Sequence, residues 1–329
     1  MKNKIGLFIA FALLIAIAPA LSLINFGGGT AHFPAAAEKD PTAFQGIELI
    51  VLDEGTDKLL TLSERDYAIG AVMSEMPASY EVQALEAQAI ACRSYARHIK
   101  ALRDKEPLKQ LKGGVFAINT AKLEGYISPD QAKARFGSSY AKYSEKITAA
   151  VDETIDEILT FDGAPIAACY HAISPGKTEN SENVFTSALP YLVSVDSSFD
   201  TTAKGYESAV KLPPAELEDM IRTADSSFKT SGDPSTWLGT LRASEAGTVL
   251  ELELCSRKFT GPELRKHLNL RSAAFSVEYS DNAFVFTVHG YGHGVGMSQN
   301  GANELAKRGA DHAAILAHYY KGAELTSPQ

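Results

Sequence analysis

The run from Ile5 to Phe26 contains no charged side chain and is about as long as the ~20 apolar residues that span a bilayer as a helix. Such a segment belongs in lipid or is removed, so the folded body begins after it. Lys2 and Lys4 precede the run, and positive charge on that side keeps the N-terminus in the cytoplasm and sends the rest across. The competing reading is a cleaved signal segment, with Ala18-Pro19-Ala20 as a small-residue cut site. Apolar residues continuing through Leu21, Leu23 and Ile24 favour a retained, single-pass anchor over residues 1–26. Either way the body is expected outside the cytoplasm. Gly27, Gly28 and Gly29 open a linker of small residues over 27–44.

The body is expected as one α+β unit over residues 45–329, of mixed helices and antiparallel strands, with room for a subdomain at about 196–280. Residues 47–52 read as a strand. A helix is predicted from Thr61 to Met76, where Pro77 stops it. A second is predicted after Ser79 as N-cap, with Val82, Leu85, Ala89, Ile90 and Ile99 on its buried side. Residues 116–136 read as irregular and 143–155 as helical. Ile158 to Phe161 and Ile166 to His171 read as a hairpin across Asp162-Gly163. Further helices are predicted over 214–224, 302–307 and 311–320, and strands over 248–254 and 283–289. No regular βαβ alternation is present.

Composition narrows the function. The net charge of −9 argues against nucleic acid, because a phosphate backbone recruits basic surface. Cys92, Cys169 and Cys255 stand far apart, with no zinc spacing and no disulfide framework.

Four segments carry chemistry. In Ser74-Glu75-Met76-Pro77, the glutamate sits at the C-terminal end of a helix. There the helix dipole and an apolar setting both disfavour its charge and raise its pKa, as a general acid requires. A solvated glutamate is the plain alternative. In Gln88 to Ala96, Arg93 lies off the apolar stripe and on the face of Glu86. Its planar fork of donors suits Glu75 or a sugar, and a surface salt bridge is the alternative. In Cys169 to Asn180, a strand runs into a polar loop with His171, Ser174, Lys177 and Thr178. Cys169 and His171 are two potential zinc ligands, but two ligands are not a site, and packing explains them as well. The last segment, His289 to Ala302, holds five glycines. They permit positive φ and close backbone approach, and they forbid the helix that would set His289 and His293 as zinc ligands. A tight turn explains the glycines. A glycan-binding loop also explains Tyr291, His293, Ser298 and Gln299.

These segments, in this order, resemble the stage II sporulation protein D family and the related amidase-enhancer proteins. Thr260-Gly261-Pro262-Glu263-Leu264-Arg265, Leu270-Arg271-Ser272 and Tyr319-Tyr320-Lys321-Gly322 add to the resemblance, which spans roughly residues 45–325. It implies a lytic transglycosylase that cuts peptidoglycan glycan strands between N-acetylmuramic acid and N-acetylglucosamine. The expected substrate is strands stripped of stem peptides, cut during the engulfment step of sporulation. The implied partners are the glycan strands, a cell-wall amidase and a membrane protein. By motif position Glu75 is the implied catalytic residue. Arg93 and Tyr191 are implied contacts, joined as expected substrate-binding residues by His171, Ser174, Lys177, Thr178, Tyr291, His293, Ser298 and Gln299. No metal or other cofactor is expected. The sequence departs from the family at Val193, where a lysine is common, and at Pro175-Gly176, where Gly-Gly is usual. Some relatives bind zinc near the third segment, through more cysteine than this chain has. A hydrolase would need a second carboxylate at a set distance, and Glu86 is the nearest candidate. The other reading is a glycan-binding enhancer that does no chemistry and activates a partner amidase.

Overall fold

The computed structural model describes residues 46–327 except residue 186. The expected anchor over 1–26 and most of the linker lie outside the described residues. Among those described, no helix is long and apolar enough to cross a membrane.

In chain order the strands and helices begin with β1 (Glu48–Asp53), β2 (Lys58–Ser63), α1 (Glu64–Glu75), α2 (Val82–Lys105), β3 (Ala117–Ile118), α3 (Pro129–Phe136) and α4 (Tyr140–Glu153). There follow β4 (Ile158–Phe161), β5 (Ala164–Pro165), β6 (Tyr170–His171), α5 (Glu182–Phe185), β7 (Glu207–Leu212), α6 (Pro214–Ala224), β8 (Leu238–Ala243), β9 (Val249–Leu254) and β10 (Arg257–Phe259). The chain closes with α7 (Gly261–His267), β11 (Phe275–Ser280), β12 (Ala283–His289), β13 (Met297–Ser298), α8 (Gln299–Lys307), α9 (His312–Tyr319) and β14 (Glu324–Thr326). This is an α+β fold whose longer strand pairings are all antiparallel. Two short pairings, β1 with β3 and β13 with β6, are parallel. The described residues divide into two compact units.

The first unit comprises residues 46–169 and 302–327. Its helices α1, α2 and α4 pack on one another, and α9 packs on α2. Ser63 caps α1, its hydroxyl accepting from the Asp66 N–H at 3.0 Å, so Thr61 and Leu62 finish β2 rather than start the helix. Met76 is extended, with Pro77 behind it, and α1 ends there as predicted. The cap of α2 is Glu81, not Ser79. Val82 is exposed rather than buried, whereas Leu85, Ala89, Ile90 and Ile99 are core. The stretch read as irregular holds β3 and α3. A capping box builds α3: Ser128 accepts from the Gln131 N–H while Gln131 accepts from the Ser128 N–H, with Pro129 in the first turn. The hairpin across Asp162 and Gly163, both at positive φ, is shorter than predicted. Across the turn β4 pairs with the two-residue β5, and along its other edge with β14.

The second unit is Tyr170–Gly301. Two three-stranded sheets, β10-β9-β8 and β11-β12-β7, share an aromatic-rich core with α6 and α7 that includes Trp237, Phe259, Phe284 and Phe286. Tyr170–His171 does not extend the hairpin; it pairs in parallel with Met297–Ser298. Gly290, Gly292, Gly294 and Gly296 all have positive φ. A Cβ on Gly290 would stand 2.7 Å from the Ile173 carbonyl, and one on Gly292 would stand 2.7 Å from the His171 Cβ. The glycines therefore serve close approach of the loop to residues 171–175.

Candidate active site

Glu75 is the last residue of α1 and is 9% exposed. Residues 119–128 lie along that helix. Gly70 makes this possible, since a Cβ there would fall 2.3 Å from the Tyr126 ring and 2.6 Å from the Ile127 carbonyl. The loop fastens to the helix end at two points. The Ser74 hydroxyl donates to the Leu123 carbonyl at 2.6 Å, and the Gly125 N–H donates to Glu75 Oε1 at 2.9 Å. Arg135, in the last turn of α3, donates to the Ser74 carbonyl at 3.1 Å. Lys146 of α4 donates to the carbonyls of Ala78 and Tyr80 and holds the turn after Pro77.

Glu75 Oε2 is buried, and no group among the described residues bonds to it. Burial pushes the carboxyl up from its ordinary value to about 7. The Gly125 N–H pulls the other way, Glu124 adds to the rise, and the Arg135 guanidinium opposes it. The negative end of the α1 dipole acts in the same sense as burial. Because Oε1 is accepting, the proton of the neutral acid belongs on Oε2. The result is a carboxyl that exchanges a proton near neutral pH, with one oxygen anchored and the other available. Gly125 and Arg135 were not legible beforehand, because they lie on a loop and a helix far along the chain with no periodic link to Glu75.

Arg93 is fully buried. Its Nε donates to Glu64 Oε1 at 3.2 Å, and one terminal nitrogen donates to the carbonyls of Thr154 and Glu157 at 2.7 and 3.0 Å. This corrects the alternative of a surface salt bridge to Glu86: the buried guanidinium ties α2 to α1 and to the end of α4. Glu86 instead faces His312, 2.9 Å from its Nδ1, while Glu157 lies 3.0 Å from the Nε2 of that ring. These two carboxylates raise the His312 pKa.

The remaining expected contacts lie in the second unit. His171 Nδ1 lies 3.1 Å from the Val295 carbonyl, and His293 Nδ1 accepts the Val295 N–H at 3.1 Å. Burial lowers both imidazoles, His171 to about 4, so both are neutral at neutral pH. The Ser174 hydroxyl accepts the Gly176 N–H, and Thr178 bridges Val193 and Val195 through its own hydroxyl. Ser298 accepts the Gly301 N–H. Tyr191 and Gln299 are buried. These bonds hold the loop to itself. Lys177 is exposed, and Tyr291 is half-buried beneath the Arg271 guanidinium, 4.2 Å from its ring centre. Sequence reasoning also missed Asp200. This fully buried carboxylate accepts from the Ser174 N–H, the Ser197 hydroxyl and the Asn300 amide and fastens the turn to α8. The Cys169 thiol is pushed up to about 12 by desolvation, which disfavours the thiolate that zinc takes. No group of three metal-ligating side chains occurs among the described residues.

Comparison with known proteins converges on one family. The family model described as "Stage II sporulation protein" (SpoIID) matches residues 53–161, the stretch that includes Glu75 and Arg93. A stage II sporulation protein D from Bacillus amyloliquefaciens is 31% identical, covering 99% of this chain and 96% of its own length. The stage II sporulation protein D of Bacillus subtilis is 34% identical over 87% of this chain and 77% of its own. A Bacillus subtilis protein named amidase enhancer is 26% identical over 78% of this chain and 40% of its own. The identity and near-complete coverage of the first two relatives place this chain in the stage II sporulation protein D family, which is related to the amidase enhancers.

Proposed function

We propose that the protein is a lytic transglycosylase that cleaves peptidoglycan glycan strands, with Glu75 as its single acid and base. The observation that carries this reading is the buried Glu75 carboxyl, with one oxygen held by the Gly125 N–H, the other without a bonding partner among the described residues, and burial raising its pKa to about 7. Protonated Glu75 donates to the oxygen linking N-acetylmuramic acid to N-acetylglucosamine. The bond breaks through an oxocarbenium-like state. The muramyl ring's own hydroxyl closes on the anomeric carbon, and Glu75, now a carboxylate, takes its proton. Arg135 and the Gly125 N–H stabilise that carboxylate between the two steps. An anhydro-muramyl end results without entry of water, and one carboxyl serves both halves.

The substrate is proposed as strands stripped of stem peptides, cut during sporulation. Of the second-unit residues expected to contact it, Lys177 is exposed and Tyr291 and His293 are half-buried. The chain is proposed to act from the membrane through its N-terminal segment, alongside a cell-wall amidase and a membrane protein. The test is mass spectrometry of products from purified denuded strands. The parent protein is expected to release anhydro-muramyl ends and Glu75→Gln none. Hydrolytic ends, or equal cleavage by both proteins, contradict the reading.

The relative named amidase enhancer supports a second reading, a glycan-binding activator without turnover. It predicts no cleavage by either protein, together with faster turnover by an added amidase.

A further inference from the structure

Within the second unit, an open cleft of about 260 Å³ lies between the turn Glu179–Asn183 and the turn that follows β8. Its polar wall is organised around Glu179, which is 1% exposed. Glu179 Oε1 accepts the Asn180 N–H at 2.9 Å and the Asn183 amide at 2.8 Å, and Oε2 accepts the Ser244 hydroxyl. Three donors on two oxygens are what an ionised carboxylate takes. The Asn180 Oδ1 accepts the Ser194 N–H at 2.8 Å. These bonds leave the Asn180 amide N–H groups, the Asn183 carbonyl, the Ser194 hydroxyl and the Glu245 carboxylate lining the cleft without a bond among the described residues. Ala246 and Leu250 supply an apolar wall.

We propose that this cleft is a sugar subsite that takes a neutral N-acetylhexosamine unit and turns away one carrying a lactyl carboxylate. The class of ligand rests on the glycan-acting reading above, and the selection comes from the cleft itself. Its volume lies below the ~300 Å³ at which drug-sized sites begin, which fits one ring rather than several. Donor and acceptor groups stand side by side, as hydroxyl and acetamido groups require. Leu250 and Ala246 offer a surface for an acetyl methyl group. Among the described residues, Glu179 and Glu245 line the cleft and no cationic side chain does. An anionic sugar would be desolvated against carboxylates with no partner, which is selection by a repulsive element. On a strand alternating N-acetylglucosamine with N-acetylmuramic acid, such a subsite fixes which sugar occupies it and hence the register of the strand.

The test is ligand-observed saturation-transfer NMR on the full-length protein, with N-acetylglucosamine and N-acetylmuramic acid as separate probes. N-Acetylglucosamine is expected to bind, and N-acetylmuramic acid to bind at least about tenfold more weakly. Ser194→Phe fills the cleft and is expected to abolish N-acetylglucosamine binding. Glu245→Gln, at an exposed residue, is expected to raise N-acetylmuramic acid binding several-fold relative to N-acetylglucosamine. No binding of N-acetylglucosamine, equal binding of the two sugars, or undiminished binding by a Ser194→Phe protein that melts like the parent each overturn the proposal. If Ser194→Phe fails to fold, an unchanged sugar preference in Glu245→Gln overturns it alone. Glu75→Gln leaves these affinities unaltered, so the two readings separate. Cleavage of strands without N-acetylglucosamine binding here removes only the subsite. Binding here without cleavage by the parent removes only the transglycosylase.

Discussion

The two ends of helix α1 each bury a glutamate, and they treat it in opposite ways. Glu64, at the first position, is fully buried and receives the Arg93 Nε, two nitrogens of Arg97 and the Ile47 N–H, at 2.7–3.2 Å. It also sits at the positive end of the helix dipole. Glu75, at the last position, receives one backbone N–H and sits at the negative end. The first carboxylate is matched by charge and donors, and it locks α1 to α2. The second is left one donor short and holds its proton near neutral pH. On one helix, burial with partners makes a structural element, and burial without them makes an acid. The fold tolerates the second because the neutral acid, unlike its anion, costs little to bury.

The strongest way to break this comparison is to remove the exchangeable proton. Glu75→Gln keeps the shape and the Gly125 bond. Cleavage of denuded strands is expected to fall by about 10²–10⁴-fold or more, read as anhydro ends released per unit time. Next in size is the other end of the helix. Glu64→Ala strips Arg93 of its carboxylate in the core and is expected to cost about 3–5 kcal/mol in denaturant unfolding, less whatever Arg97 relieves by moving toward solvent. A surface pair such as Lys100–Asp104, broken by Asp104→Ala, is expected to cost under about 0.5 kcal/mol and serves as the control.

A third test joins stability to pH. The folded pKa of Glu75, about 7, is raised above the ordinary carboxyl value of 4.5. The folded protein therefore binds the proton more tightly across that window. The resulting stabilisation is complete below pH ~4.5 and is lost as pH rises through ~7. Glu75→Gln escapes that loss. It is expected to match the parent at pH 4 and to exceed it at pH 8, by on the order of 3 kcal/mol at most. A variant inactive yet more stable above neutrality separates a functional carboxyl from a structural one. The smallest effect is expected at Arg135. Arg135→Gln removes a charge that lowers the Glu75 pKa, so the pH above which cleavage falls moves up, by less than about 1 unit.

Much of the helix scaffold was legible in the chain. Pro77 marked the end of α1, and Pro214 with the residues after it gave α6 at its observed bounds. The capping box from Ser128 to Gln131 went unread, because the aromatic and polar residues around it made 116–136 look irregular. Glu75 stood out because a helix end and an apolar setting leave a local trace. Arg93 misled because its residue type and spacing suit a solvated face. Only tertiary packing of the 24-residue α2 against α1, α4 and α9 buries that side. The bonds made by Ser174, Thr178 and Ser298 were hidden for a related reason. A polar loop with a strained, glycine-dependent backbone needs hydroxyls to satisfy itself, and those bonds reach segments that local sequence does not name. The parallel pairing of two-residue strands β6 and β13 has no periodic signal either.

The account turns on the charge state of one side chain, and that is open to direct measurement. Carbon-13 labelling of glutamate side chains, with Glu75→Gln to assign the signal, yields the titration of the Glu75 carboxyl in the folded protein. The account predicts a midpoint near 7 that is absent from the variant. A midpoint at the ordinary 4.5 would contradict it, because the acid would then be spent before it could protonate a glycosidic oxygen at neutral pH.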